Sequence, residues 1–147
     1  MTGTEFLYCM RALKVSMWKD VVKIEALESY ASYTTMKFDS SPVSHSRNNH
    51  QMEDRIAKLI DMRSKLGDDF SMWLDMFKQA NQLLDTLEDG RIILILYYYF
   101  LDNQSIMWIA DRIDLTYQWT YALMKKGLKV LSDQELPSTG TPMIHQG

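Results

Sequence analysis

The sequence predicts an all-α protein: a long N-terminal helix plus a helical hairpin, followed by a C-terminal helix-turn-helix. Three observations carry this reading. Apolar residues recur at three- and four-residue steps along most of the first 131 positions, the period of a buried helix face. The interior of the first such stretch, residues 4–38, contains neither Gly nor Pro. Strand signals are few, and the one run that could pass for a strand, Tyr97-Tyr98-Tyr99-Phe100, has helical neighbours on both sides.

Taken in order, residues 4–38 place Phe6, Met10, Leu13, Met17, Ile24, Leu27, Ala31 and Phe38 on one seam, interrupted by Asp20 and Thr34. Continuous at 1.5 Å per residue, this helix is about 50 Å long. Its seam is coiled-coil-like and suits either a packing helix of a bundle or a dimerising coiled coil. Residues 39–50 form a polar run with one proline, read as a flexible loop. A second helix over 51–66 carries Met52, Ile56, Leu59, Ile60 and Leu66 on one face, with Arg63 laying its stem along the same stripe. Gly67 is expected to end it, and Asp68 or Asp69 to cap a third helix over 70–87. Phe70, Trp73, Phe77, Ala80, Leu84 and Leu87 form the seam of that helix. The two make an antiparallel hairpin lying along the first helix, so residues 1–88 read as one helical region.

Residues 89–131 read as the helix-turn-helix. Asp89 is placed to cap an apolar helix, and Asp102-Asn103-Gln104-Ser105 breaks it, with Ser105 capping a short helix over 106–113. Ile106, Ile109, Ala110 and Ile113 share a face there, and the small Ala110 suits a tight helix crossing. Asp114-Leu115-Thr116 is the turn, with Leu115 entering the core and Thr116 capping the last helix. On that helix Thr120, Leu123 or Met124, Gly127, Leu128 and Leu131 point inward. The candidate DNA-facing set is Thr116, Tyr117, Gln118, Tyr121, Ala122, Lys125, Lys126 and Lys129. Gln pairs bidentately with adenine, aromatic edges contact thymine methyls, and lysines reach phosphates. Trp108 and Trp119 each read as half-buried core, the first choice, or as an exposed anchor for a partner. Residues 132–147, with two prolines and little apolar content, read as a disordered tail.

The totals restrict the function. At 147 residues and 46% apolar content the chain can bury a real core. Its net charge of −3 counts against a nonspecific polyelectrolyte binder. Residues 91–131 nevertheless carry five cations against three carboxylates, so the basic bias is local and thin. The longest apolar run, residues 92–101, is ten residues, too short to span a bilayer, and the start shows no export signal. A single cysteine, Cys9, fits a reducing cytosol. No phosphate-cradling glycine loop is present, and His45, His50 and Cys9 lack zinc-ligand spacing. Paired carboxylates sit at expected helix ends, where capping accounts for them. The expectation is therefore a non-enzyme with no catalytic residues, metal or cofactor.

Residues 91–131 resemble region 4 of bacterial sigma-70-type factors. The wider arrangement resembles phage and prophage late-gene transcription regulators of the RinA and ArpU type. It comprises the long first helix, the polar loop around Pro42, the IAKLIDMRSKL stretch, R-x-I-L from Arg91, the Ile109-Ala110 pair and Leu115-Thr116 before the last helix. The resemblance implies a DNA-binding regulator of a late operon, acting on double-stranded DNA in the bacterial cytoplasm. The helical N-terminal portion is expected to give a homodimer or a contact with RNA polymerase. The chain departs from that pattern at Tyr97-Tyr98, Trp108 and Ala122, where charged residues are common in the family. Each departure adds apolar surface. Two rival readings are a small-terminase-like DNA-packaging subunit and a protein-interaction or inhibitor module built on a degenerate helix-turn-helix.

Overall fold

Long seams and well-placed caps make nearly the whole chain helical. The computed structural model describes residues 1–40 and 45–136, with side chains at 1–30 and 50–136. Among these it contains α1 (Gly3–Ser40), α2 (His45–Leu84), α3 (Gly90–Leu96) continuing into a π-helical turn (Tyr97–Leu101), α4 (Ile106–Arg112) and α5 (Tyr117–Ser132). The fold is all-α, and the one β-type pairing among the described residues is an isolated bridge between Thr2 and Glu135. No described helix is long and apolar enough to cross a membrane.

Four expectations about boundaries need correction. Residues 39–40 and 45–50 are helical, so of the loop expected over 39–50 only 41–44 lie outside the described residues. Gly67 does not end a helix: α2 runs through it, and the expected second and third helices are one rod of 40 residues. Glycine inside a helix costs about 1 kcal/mol, which the uninterrupted seam on both sides outweighs. Asp69 is not a cap but pairs with Lys65 at 3.1 Å, one turn back across Gly67. Finally, residues 133–136 are ordered against the start of α1, where Gly3 N–H donates to the Gln134 carbonyl at 3.0 Å and Leu136 N–H to that of Met1 at 3.1 Å. The unpaired amide at the start of a helix thereby finds its acceptor. The rest of the expected tail lies outside the described residues.

The chain divides into two units, and not at residue 88. Unit 1 comprises Met1–Ala12 and Asp75–Gly147, described to residue 136; unit 2 is Leu13–Leu74. Residues 89–131 cannot cover their own apolar faces, so unit 1 enlists both ends of the preceding helices. Phe6, Leu7 and Met10 of α1 and Ala80, Leu83 and Leu84 of α2 are buried in it with Ile95, Leu96, Phe100, Ile109 and Leu131.

In unit 2, α1 and α2 are antiparallel. Arg63 pairs with Glu28, and Lys65 with Asp20 at 2.9 Å. Arg55 stacks on Tyr30 at 4.0 Å and Lys14 on Trp73 at 5.2 Å. Hydrogen bonds to Asp20 first and Asp69 second hold the Lys65 ammonium above its ordinary range. The α2 seam is a heptad, with Met52, Leu59, Leu66 and Trp73 at one position and Arg55, Met62 and Asp69 at another. All seven are only half-buried.

Unit 1 turns on a close helix contact. At Gly127 of α5 an added Cβ would lie 2.4 Å from Ile92 Cγ2 and 3.0 Å from Leu96 Cδ1, so α3 rests directly on the α5 backbone. The end of α3 is closed by Arg11, whose guanidinium donates to the Tyr99 carbonyl and lies 3.9 Å from the Tyr99 ring centre. Asn103 Nδ2 returns a hydrogen bond to the Arg11 carbonyl at 3.3 Å. The widened π turn, in which Asp102 N–H reaches back five residues to the Tyr97 carbonyl at 3.1 Å, exposes these carbonyls to capping.

Two substitutions probe this arrangement by denaturant unfolding. Gly127→Ala is expected to destabilise unit 1 by about 1–2 kcal/mol despite alanine's better helix propensity, because the stiff, buried Ile92 has nowhere to move. Arg11→Met, which keeps the stem, is expected to cost about 1–3 kcal/mol by leaving the part-buried Tyr99 carbonyl without its donor.

Candidate nucleic-acid interface

The element preceding α5 is short and tightly specified. Ser105 Oγ accepts from Trp108 N–H at 3.1 Å, fixing the start of α4, and Thr116 Oγ1 accepts from Trp119 N–H at 3.1 Å, fixing the start of α5. Between them Leu115 N–H donates to the Ala110 carbonyl at 3.0 Å. Asp114 takes the left-handed conformation at φ 60°, which short polar side chains tolerate better than branched ones. Ile109 and Ala110 are buried, while Ile106, Ile113 and Leu115 are half-buried.

One side of α5 faces inward. Thr120, Leu123, Met124, Gly127 and Leu131 are buried and Leu128 is half-buried. Thr120, the buried polar residue of the set, is satisfied by donating from Oγ1 to the Thr116 carbonyl at 2.8 Å. The other side is open. Thr116, Tyr117, Gln118, Tyr121, Ala122, Lys125, Lys126 and Lys129 are all exposed. Within that set, residues four apart form a continuous row. The Tyr117 and Tyr121 rings are nearly parallel, centroids 6.4 Å apart and planes 6° apart, and Lys125 Nζ lies 5.4 Å from the Tyr121 ring centre.

Of the two readings of Trp108 and Trp119, the structure favours the exposed one over the core. Trp108 and Trp119 are 40% and 49% exposed, because α4 and α5 spend their inner faces on Ile109, Ala110, Thr120, Leu123 and Met124. Trp108 does meet Tyr98 edge-on at 5.2 Å, so one flank of it is held. Met107 beside it is 72% exposed.

Sequence reasoning also missed Tyr8. Its ring packs edge-on against Phe100 at 4.9 Å. Burial first, and then the neighbouring phenols of Tyr99 and Tyr121, push its hydroxyl above the ordinary tyrosine range. No short-range signal links Tyr8 to Tyr121, since 113 residues of chain separate them.

The carboxylates set a limit on the local field. Asp111, Asp114 and Asp133 are exposed near the two ends of α5, and Glu135 pairs with the Met1 ammonium at 2.6 Å. The arrangement offers hydrogen-bonding, stacking and cationic groups on a rigid rod. Among the described residues no group of three or more His, Cys, Asp or Glu is placed to hold a metal ion. No protein-family model, curated protein or solved structure matches this chain.

The turn itself is open to test. Asp114→Val is expected to destabilise unit 1 by about 1–2 kcal/mol in chemical denaturation, because a β-branched residue is strained at positive φ. Asp114→Asn is expected to stay within about 0.5 kcal/mol of the parent chain, since asparagine tolerates the same conformation.

Proposed function

We propose that this chain is a DNA-binding transcription regulator, encoded by a phage or prophage and acting on a late operon in the bacterial cytoplasm. The α4–turn–α5 segment is its helix-turn-helix. The observation that supports this reading is the two-sidedness of α5: an inner side committed to the core and an outer row of Tyr117, Gln118, Tyr121 and Lys125 left free. In the major groove Gln118 reads an adenine edge, and the tyrosine edges meet thymine methyl groups. Lys125, Lys126 and Lys129 contact phosphates. Three such contacts give a salt slope of about −3 in log K against log salt, so affinity is modest and falls steeply with ionic strength. RNA polymerase is the second partner in this reading, as for sigma region 4.

A second reading has its own support. Met107, Trp108 and Trp119 expose large apolar surface beside the row, and tryptophan is a common anchor of protein interfaces. In that reading the segment keeps the fold and binds a protein.

Fluorescence anisotropy on DNA from upstream of the chain's own gene, at two salt concentrations, separates the two. The regulator reading expects a preferred site at low salt. Gln118→Ala should cost about 1–3 kcal/mol there and relax selectivity, whereas Lys125→Ala should weaken all sequences alike and reduce the slope by about 1. Absence of any sequence preference at low salt, with both variants fully functional, favours the protein-binding reading.

A further inference from the structure

Unit 2 leaves one side of its hairpin uncovered. In an antiparallel helix pair, residues one step past the seam on each helix emerge on the same side. Trp18 and Val21 of α1 therefore stand beside Phe70 and Gly67 of α2, Ile56, Ile60 and Leu74 continue the same row along α2, and the Arg63–Glu28 ion pair ties the two rows together. These six apolar side chains are between 37% and 59% exposed. Together they present roughly 600 Å² of apolar surface, the upper end of what a monomer leaves open. Arg63 and Glu28 at the centre of the patch neutralise one another, and Glu25, exposed in the same α1 row, stands opposite Arg63 as well.

Gly67 lies in the middle of the α2 row. A Cβ built there would meet nothing within 4 Å, and its φ is not positive. Neither a turn nor an internal neighbour calls for glycine, in contrast to Gly127. The row is also symmetric about it: Ile60 and Leu74 stand one heptad to either side, and Arg63 and Phe70 within a turn on either side.

We propose that this face docks a second copy of the chain, with the two α2 helices crossing antiparallel at Gly67. A two-fold axis there sets Ile60 of one copy against Leu74 of the other and brings Arg63 over the Phe70 ring of the other. Glycine at the crossing point lets the two backbones approach closely, which accounts for a residue that α2 by itself disfavours. The apolar patch and the Arg63 stem supply most of the approximately 800 Å² per partner that a stable dimer buries. The proposal is independent of whether α5 binds DNA.

Sedimentation equilibrium of the full chain at about 100 μM, which populates dimers with micromolar Kd, is expected to give twice the monomer mass. Gly67→Ala should raise the melting temperature of the dilute, monomeric chain, because the site is open and alanine favours helix. The same change should weaken association about tenfold or more, and Gly67→Leu should abolish it. In a Cys9→Ser background, Gly67→Cys should form a disulfide-linked dimer on mild oxidation, whereas Lys58→Cys, exposed on the opposite side of α2, should not. A monomeric parent chain, a Gly67→Ala dimer as tight as the parent, or cross-linking at position 58 in place of 67 would overturn the proposal.

Discussion

Everything in unit 1 depends on how closely α3 lies on α5. With Ile92 and Leu96 seated on the backbone at Gly127, the inner side of α5 is held from its middle, and Leu123, Met124 and Leu131 are buried around that point. A helix clamped on one side in this way cannot rotate to bury its other side. The exposed row on α5 is thus a consequence of core packing as much as of its own composition.

The same contact explains why neighbouring elements are built as they are. Because α3 is short, its apolar run must stop, and the π turn stops it while keeping Phe100 and Leu101 in the core. The Tyr99 carbonyl left over at that end is capped by Arg11 from near the start of the sequence. Unit 1 is therefore closed by long-range polar contacts around a core of helix crossings. Unit 2 is a different kind of object. Two helices alone bury little of each other, and its seam residues are mostly half-buried. Stability there comes from a heptad seam supplemented by cross-helix ion pairs and cation–π contacts at its edges, each of modest worth.

What could be read from residues alone was local. Asp89, Ser105 and Thr116 cap α3, α4 and α5 as their types and positions predict, because a cap satisfies an amide two or three residues away. The inward set on α5 was equally legible, since helical period decides it. Gly67 misled because its cost is small beside that of interrupting a long seam. Trp108 and Trp119 misled because size and apolarity say nothing about which face a helix spends on its neighbours. Tyr8 and Arg11 gave no signal at all, as their partners lie some ninety residues or more away.

The residues themselves therefore determined that the chain is helical, where its shorter helices begin and which side of each is apolar. These are matters of hydrogen bonds and side-chain periods within a few residues. Only the tertiary structure decided that α2 is one rod, that the start of α1 belongs with α5, and that the tryptophans of α4 and α5 stay outside. Those outcomes are competitions for a limited amount of buried surface among distant segments, and no short stretch of sequence contains both competitors.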